Sequence, residues 1–185
     1  MRITGGKYCG RKVSCPPGII RPAMDRMRES MFAILGDLSG LSFLDLFSGS
    51  GIVALEALSR GAEKAVLVEK DFRKKTVIYQ NISIALNGPD SVNKEQIVIL
   101  MRPVEKVLKP DMEVFDIVHL DPPFPMKNKT DLLIMADKAG QPAVNGTLMI
   151  HYPSEETLPE VSGSLRQYDL RRYGRSELAF YTRDK

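Results

Sequence analysis

The stretch Ser42-Phe-Leu-Asp-Leu-Phe-Ser-Gly-Ser-Gly-Ile-Val-Ala54 decides the fold. Its first six residues predict a short buried strand, and a helix follows the glycines as far as Arg60. The spacing of Gly49, Gly51 and Ala54 gives the pattern G-x-G-x-x-A, in which the backbone can approach a bound nucleoside closely. The pattern alone fits a dinucleotide as well as other nucleoside cofactors. The segment therefore predicts a strand, a tight turn and a helix, with a ligand at the turn.

Short apolar strands alternate with helical stretches after this point, which is typical of βαβ units and of a parallel sheet with helices on both faces. The predicted strands are Ser42 to Phe47, Ala65 to Val68, Gln96 to Met101 and Val114 to Leu120, with a helix from Asp71 to Leu86. The end of the chain differs, because three more strands follow with little helical pattern between the last two. These strands are Thr147 to Tyr152, Leu165 to Tyr173 and Glu177 to Thr182. We expect an α/β fold whose mostly parallel sheet ends in an antiparallel hairpin.

A turn-rich segment, Cys15-Pro-Pro-Gly-Ile-Ile-Arg-Pro22, is the one boundary signal in the chain. Before it, residues 2–8 and 11–15 predict a short β-hairpin. After it, apolar residues at helical spacing predict a helix with Asp25 as its N-cap. With 185 residues, 43% of them hydrophobic, the chain can bury one substantial core but not two catalytic domains. We predict a hairpin extension at 1–22 and one main domain at 23–185.

Positive charge is concentrated at the amino terminus. Residues 1–30 hold seven basic and two acidic side chains, a balance of +5, so the net +3 of the chain leaves −2 for the rest. A basic arm on a near-neutral domain suits a phosphate backbone, although a solvated basic surface would look the same. The predicted RNA-binding residues are Arg2, Lys7, Arg11, Lys12, Arg21 and Arg26.

Several classes of protein are disfavoured. The start lacks the apolar core of a signal peptide, and no later apolar run approaches the roughly 20 residues that span a bilayer, so we expect a cytoplasmic protein. Cys9 and Cys15 lack a second pair for a zinc site, and His119 and His151 have no ligand spacing, so we predict no metal and structural histidines. A nucleophile elbow and a P-loop lysine are absent, which argues against hydrolases and phosphotransferases.

Two carboxylates follow the first two predicted strands, where ligands of α/β sheets bind. Asp45 precedes the glycines and would repel a pyrophosphate, but it suits the ammonium group of S-adenosylmethionine. Glu69 stands 18 positions beyond Gly51, where a carboxylate can accept hydrogen bonds from both ribose hydroxyls. The alternative is that Glu69 only caps the helix that follows. The pair favours S-adenosylmethionine over a nicotinamide cofactor.

The motif with the most specific chemistry is Asp121-Pro-Pro-Phe124, directly after an apolar strand. Two prolines stiffen the loop and remove two backbone donors, which leaves carbonyl groups as acceptors. Asp121 and a backbone carbonyl could accept both hydrogens of an exocyclic base amine, whose lone pair then becomes available for attack on a methyl sulfonium. Phe124 could stack on the extruded base. The alternative is a proline turn that ends a core strand. We predict that Asp121, Pro122, Pro123 and Phe124 form the catalytic site.

In this order the motifs resemble the RsmD family of bacterial 16S rRNA guanine-N2 methyltransferases from end to end. The resemblance rests on Arg2-Ile-Thr-Gly-Gly-Lys-Tyr-Cys-Gly-Arg-Lys-Val13, Arg21-Pro-Ala-Met-Asp-Arg-Met-Arg-Glu29, Asp45-Leu-Phe-Ser-Gly-Ser-Gly51, Val68-Glu-Lys-Asp71, Asn81, Asp121-Pro-Pro-Phe124 and Tyr173-Gly-Arg-Ser-Glu-Leu-Ala-Phe-Tyr181. It implies a Rossmann-like, S-adenosylmethionine-dependent methyltransferase domain. The implied partner is 16S rRNA within the small ribosomal subunit, with the amino-terminal hairpin on the RNA.

The predicted cofactor-binding residues include those that the resemblance assigns. They are Asp45, Phe47, Gly49, Ser50, Gly51, Glu69, Lys70 and Arg102. The chain departs from the family pattern at three places. Ala23 and Met24 follow Pro22 where the family usually has threonine, Arg102-Pro103 replaces an acidic residue after the third strand, and Pro125-Met126 follows the catalytic motif.

Three other functions remain open at this point. An adenine-N6 DNA methyltransferase uses the same kind of motif, but the chain has no spare segment for a target-recognition domain. A nicotinamide oxidoreductase leaves Asp45 and the Asp121 motif unexplained. A non-catalytic RNA-binding assembly factor could keep the fold without the reaction.

Overall fold

The structure, a computed structural model, describes residues 1–15, 23–85 and 96–185. The chain divides into two compact units, Met1–Arg102 and Pro103–Lys185. The predicted division at residue 22 falls outside the described residues and stays a prediction.

The first unit contains the strand, turn and helix from which the fold was predicted. Its elements are α1 (Ala23–Leu35), β1 (Ser42–Leu46), α2 (Ile52–Ser59), β2 (Lys64–Val68), a short 3₁₀ helix (Phe72–Lys74), α3 (Lys75–Ala85) and β3 (Ile97–Leu100). The strands pair in the order β3-β2-β1, and both pairings are parallel. The last four residues of β1 and of β2 are buried, as expected for central strands covered on both faces. The predicted parallel βαβ pattern is confirmed here.

The amino-terminal hairpin is shorter than the sequence predicts. Arg2 and Lys12 form one antiparallel bridge, flanked by hydrogen bonds from Ile3 N to Arg11 O (3.0 Å) and from Val13 N to Met1 O (2.9 Å). Residues 5–10 form turns instead of strands. Ile3 and Val13 are buried, so the hairpin adds two apolar side chains to the first unit.

This hairpin is held on the carboxyl end of α2. The last carbonyls of a helix lack partners inside the helix, and here Lys7 N donates to Ser59 O at 2.6 Å. The Ser59 hydroxyl donates to Gly5 O at 2.6 Å and accepts from Tyr8 N at 2.8 Å. Gly6 has φ +76°, and a Cβ there would lie 1.9 Å from Ser59 O, so only glycine fits.

A buried carboxylate, Glu56 of α2, ties the same hairpin to α1. It accepts from Arg28 Nε at 2.8 Å, from Arg60 Nη2 at 2.9 Å and from the Thr4 hydroxyl. Arg28 is itself buried and also donates to the Asp25 carboxylate at 3.0 Å. A buried charge is tolerated when it is paired in this way, and removal of one partner is costly.

The prediction that Asp25 is the N-cap of α1 is wrong. The helix begins at Ala23, which places Asp25 inside the first turn. There it forms an ion pair with Arg28 three residues later, a spacing at which helical side chains meet. A carboxylate in the first turn also interacts favourably with the helix dipole.

The second unit carries the antiparallel end of the fold. Its elements are α4 (Val104–Val107), β4 (Ile117–Leu120), α5 (Lys129–Lys138), β5 (Thr147–Pro153), β6 (Val161–Ser162), β7 (Leu165–Tyr173) and β8 (Ser176–Arg183). The strands pair in the order β4-β5-β8-β7-β6, with β4 and β5 parallel and the other pairs antiparallel. The predicted hairpin of β7 and β8 is confirmed. In the described ranges, no helix is both long enough and apolar enough to cross a bilayer.

Candidate active site

The turn after β1 has the backbone conformation that its glycines permit. Phe47, Gly49 and Gly51 all have positive φ, at 68°, 58° and 78°. Ser48 fixes the turn to both neighbouring strands, because its N–H donates to Val68 O at 2.9 Å and its hydroxyl donates to Asp45 O at 2.7 Å. Helix α2 then begins directly after Gly51.

Two buried carboxylates lie at the carboxyl ends of neighbouring strands in this unit. Asp45 is 1% exposed and Glu69 is 5% exposed. A buried carboxylate needs donors or a cationic ligand, because burial penalises its charge. This pair of acceptors, with a glycine turn beside it, fits a ligand that carries an ammonium group and ribose hydroxyls.

Glu69 is bound to the glycine turn. Its Oε2 accepts from Gly49 N and from Lys74 Nζ, both at 3.0 Å, and its Oε1 accepts from Asp71 N at 2.8 Å. Asp71 begins the 3₁₀ helix, and the side-chain hydrogen bond from Arg73 lowers the pKa of Asp71 to about 2. Glu69 therefore supports both the turn and the start of the next helical segment.

Asn81 on α3 fixes the other side of the turn. Its Nδ2 donates to Ser50 O and to Ser14 O, both at 2.9 Å, and its Oδ1 accepts from Ser14 N at 2.8 Å. Because Asn81 is fully buried, these hydrogen bonds are shielded from water. The side chain joins the glycine turn to the end of the amino-terminal hairpin.

The remaining predicted cofactor residues are less enclosed. Phe47 is half-buried, whereas Lys70 and Arg102 are exposed. Arg102 N donates to Leu100 O at 2.9 Å in the turn that leaves β3. The sequence alone gave these three residues no specific contact.

The loop Asp121-Pro-Pro-Phe124 directly follows β4 in the second unit. Pro122 is buried, Pro123 is exposed, and Asp121 and Phe124 are half-buried. The carbonyl of Pro123 accepts from Met126 N at 2.8 Å, which closes a turn beyond the motif. Pro125 and Met126, which depart from the family pattern, thus belong to this turn.

A buried lysine that the sequence analysis missed clamps this turn. Lys129 Nζ donates to Phe124 O at 3.0 Å, to Met126 O at 2.7 Å and to Glu156 Oε1 at 2.6 Å. Its side chain is 0% exposed, so its three donors are all used away from water. A lysine at the start of a helix does not by itself indicate burial, because most helical lysines are exposed.

His151 of β5 also contacts the loop, although the sequence predicts a structural histidine. Its Nδ1 lies 2.9 Å from Asp121 Oδ1, and its ring meets the Phe124 ring edge-on at 5.2 Å between centroids. The sequence gives little indication of this contact, because positions 121 and 151 come together through the pairing of β4 with β5. The other histidine, His119, is buried within β4.

The predicted RNA-binding residues differ in exposure. Arg2, Lys7, Lys12 and Arg26 are exposed, and Arg21 lies outside the described residues. Arg11 is engaged within the first unit: its Nη1 donates to Ala85 O, and its guanidinium lies 4.9 Å from the Tyr8 ring centroid. Among the described residues, no cluster of His, Cys, Asp and Glu could hold a metal ion.

Comparisons with known proteins agree with this geometry. The family described as "Conserved hypothetical protein 95" matches residues 1–182. Ribosomal RNA small subunit methyltransferase D of Escherichia coli (strain K12) is 31% identical over 164 residues, which cover 87% of this chain and 79% of that protein. YlbH of Bacillus subtilis (strain 168), named provisionally as an rRNA methyltransferase, is 30% identical over 98% of both chains.

Solved structures show the same fold. Hypothetical protein TTHA0928 of Thermus thermophilus has a TM-score of 0.81 and 29% identity, with 98% of this chain and 99% of that one covered. SMU.776, solved in complex with SAH, has a TM-score of 0.69 and 14% identity over 88% of this chain and 50% of that one. At that identity the second likeness concerns the fold alone.

The fold and the relatives define an α/β methyltransferase of the S-adenosylmethionine-dependent class. The chain belongs to the family described as "Conserved hypothetical protein 95", and the resemblance to RsmD proteins is confirmed.

Gly51→Ala tests the turn after β1. Alanine at φ +78° is strained, and its Cβ would lie 2.9 Å from Leu67 Cδ2. We expect the free energy of unfolding to fall by about 1–2 kcal/mol and the affinity for S-adenosylmethionine to fall roughly tenfold, because the backbone that approaches the ligand shifts. Urea unfolding and titration calorimetry measure the two effects.

The matched control is Gly40→Ala. Gly40 has φ +76°, but a Cβ there would meet nothing within 4 Å. The control should lose similar stability with no change in affinity for S-adenosylmethionine. Equal affinity of both variants for the ligand would contradict the assignment of the turn.

Proposed function

We propose that this protein transfers a methyl group from S-adenosylmethionine to the exocyclic N2 of a guanine in 16S rRNA of the small ribosomal subunit. The observation that carries the proposal is the loop Asp121–Phe124, in which a carboxylate and an aromatic ring are fixed at the end of β4. A nicotinamide oxidoreductase would leave this loop unexplained.

The first unit would bind the methyl donor. When bound, S-adenosylmethionine supplies a methyl group on a positively charged sulfur. Asp45 would balance the ammonium charge, and the glycine turn would admit the backbone close to the ligand. Glu69 would accept hydrogen bonds from the ribose hydroxyls. Lys74, which donates to Glu69 from a partly exposed side chain, would move away and free a second lone pair for them.

The second unit would bind the acceptor base. The amine of guanine is a poor nucleophile because its lone pair is delocalised into the ring. Asp121 and the Pro122 carbonyl would accept its two hydrogens and favour the pyramidal form. As the nitrogen–carbon bond forms and the sulfur–carbon bond breaks, the amine would lose one proton to the Asp121 carboxylate. Phe124 would stack on the base.

The relatives support ribosomal RNA as the substrate. Methyltransferase D proteins are named for the small-subunit rRNA, and this chain aligns with most of the Escherichia coli one. The exposed basic side chains of the hairpin suit a phosphate backbone. We place the reaction in the bacterial cytoplasm, where that RNA is found.

Transfer of radiolabelled methyl from S-adenosylmethionine tests the proposal. The acceptors are unmethylated small subunits, naked 16S rRNA and genomic DNA, each followed by nucleoside analysis. We expect label in N2-methylguanosine from the rRNA, with small subunits as the better acceptor. Label in N6-methyladenine from DNA would contradict the proposal, and so would donor binding without label in any acceptor, which fits an assembly factor.

The double variant Lys7→Ala/Lys12→Ala tests the basic hairpin. Both side chains are exposed, so their removal leaves the fold intact. Log affinity for 16S rRNA should become less dependent on log salt, by about one unit of slope for each phosphate that the variant no longer neutralises. Arg11 is left unchanged, because it bonds Ala85 O. Binding measured across a salt series gives the slope.

The control for this variant is Lys109→Ala/Lys138→Ala. Both lysines are exposed and lie outside the hairpin, so the net charge changes equally. An equal decrease of slope in the two double variants would mean that only net charge matters, and the hairpin would lose its assignment.

A further inference from the structure

His151 lies where β5 runs past its parallel neighbour. The last pair of β4 and β5 is Leu120 with Ile150, whereas β5 continues to Pro153 because it pairs with β8 on its other side. His151 is opposite Leu178 of β8. Its side chain can therefore face the loop that leaves β4 at Asp121.

The imidazole contacts both chemically important ends of that loop. Nδ1 is 2.9 Å from Asp121 Oδ1, and the ring is tilted by 62° to the Phe124 ring at 5.2 Å between centroids. Such an edge-on arrangement is a favourable aromatic geometry. His151 is 6% exposed, so water has little access to the imidazole side of either contact.

The partner determines which ring nitrogen carries the proton. An ionised carboxylate can only accept, so the 2.9 Å contact is a hydrogen bond when Nδ1 carries the hydrogen. In the neutral ring Nε2 is then an acceptor. That atom is buried and has no hydrogen-bond partner in the described part of the chain. A histidine kept only for packing has no need of this polar burial, since an apolar residue of similar volume fills the space at lower cost.

We propose that His151 is the positioning residue for Asp121. It donates from Nδ1 to one lone pair of the carboxylate and holds the Phe124 ring by its edge, so that the acceptor amine and its base meet groups of fixed orientation. A carboxylate offers about four lone-pair directions, and the hydrogen bond to His151 uses one of them. This inference rests on the proposed function, because it concerns the group that receives the amine.

Three substitutions at this position separate the donor from the volume. In His151→Asn the amide nitrogen can take the place of Nδ1. In His151→Gln the amide reaches the place of Nε2 instead. His151→Leu keeps most of the volume without a donor. Asn and Gln are both polar, so the comparison between them does not depend on whether the leucine variant folds.

The measurement is the single-turnover rate of methyl transfer to small subunits at saturating donor and acceptor. The donor Kd and the KM for the acceptor are measured in parallel. We expect His151→Gln and His151→Leu to lower the rate by roughly 10²-fold, the cost typical of a misplaced reacting group. The donor Kd should stay within about twofold, and His151→Asn should restore most of the rate.

Two results would overturn the inference while the proposed function stands. One is a wild-type rate in His151→Leu, and the other is an equal loss of rate in the asparagine and glutamine variants. If the unmodified protein transfers no methyl to guanine N2, the proposed function fails and the role of His151 in it fails too.

Discussion

The arrangement of the first unit depends on the left-handed turn that follows β1. The chain must turn from the strand into the following helix within a few residues, and Gly49 and Gly51 permit this turn by adopting positive φ. Three hydrogen bonds hold the turn. Ser48 N donates to a carbonyl of β2, Gly49 N donates to the Glu69 carboxylate, and the Asn81 amide donates to Ser50 O. Because Asn81 also bonds Ser14, the same turn fixes the end of the amino-terminal hairpin. One local constraint thus organises both the proposed binding site of the methyl donor and the basic segment.

The second unit solves a different problem, which is to hold a proline-rich loop without the usual backbone hydrogen bonds. Pro122 and Pro123 have no backbone N–H to donate, so side chains supply the hydrogen bonds that hold the loop. His151 bonds the loop at its start, and Lys129 bonds it at the carbonyls of Phe124 and Met126. Both side chains are buried, and hydrogen bonds that are shielded from water restrict motion more than exposed ones. The proposed transfer to a weakly nucleophilic amine would require such a rigid loop.

Local sequence predicted the parts that depend on local chemistry. The glycine turn and the Asp121 loop could be predicted because their residue types dictate backbone conformation within a few positions. The N-cap assignment of Asp25 was wrong, because α1 begins at Ala23. Asp25 pairs instead with Arg28, which also binds Glu56. Lys129 was missed and His151 was predicted to be structural because their roles follow from strand register and from contacts across the second unit. That register follows from the burial pattern of whole strands, which motifs taken one at a time do not reveal.

In the proposed division of roles, the residues of the first unit bind the methyl donor and Asp121 acts on the acceptor. The most direct test is the Asp121→Ala variant, measured by calorimetry with S-adenosylmethionine and by single-turnover methyl transfer to small subunits, with the exposed Asp131→Ala as control. The account predicts an unchanged Kd for the donor and loss of transfer in the first variant, with both properties kept in the control. Transfer retained by Asp121→Ala, or lost only because the donor no longer binds, would contradict it.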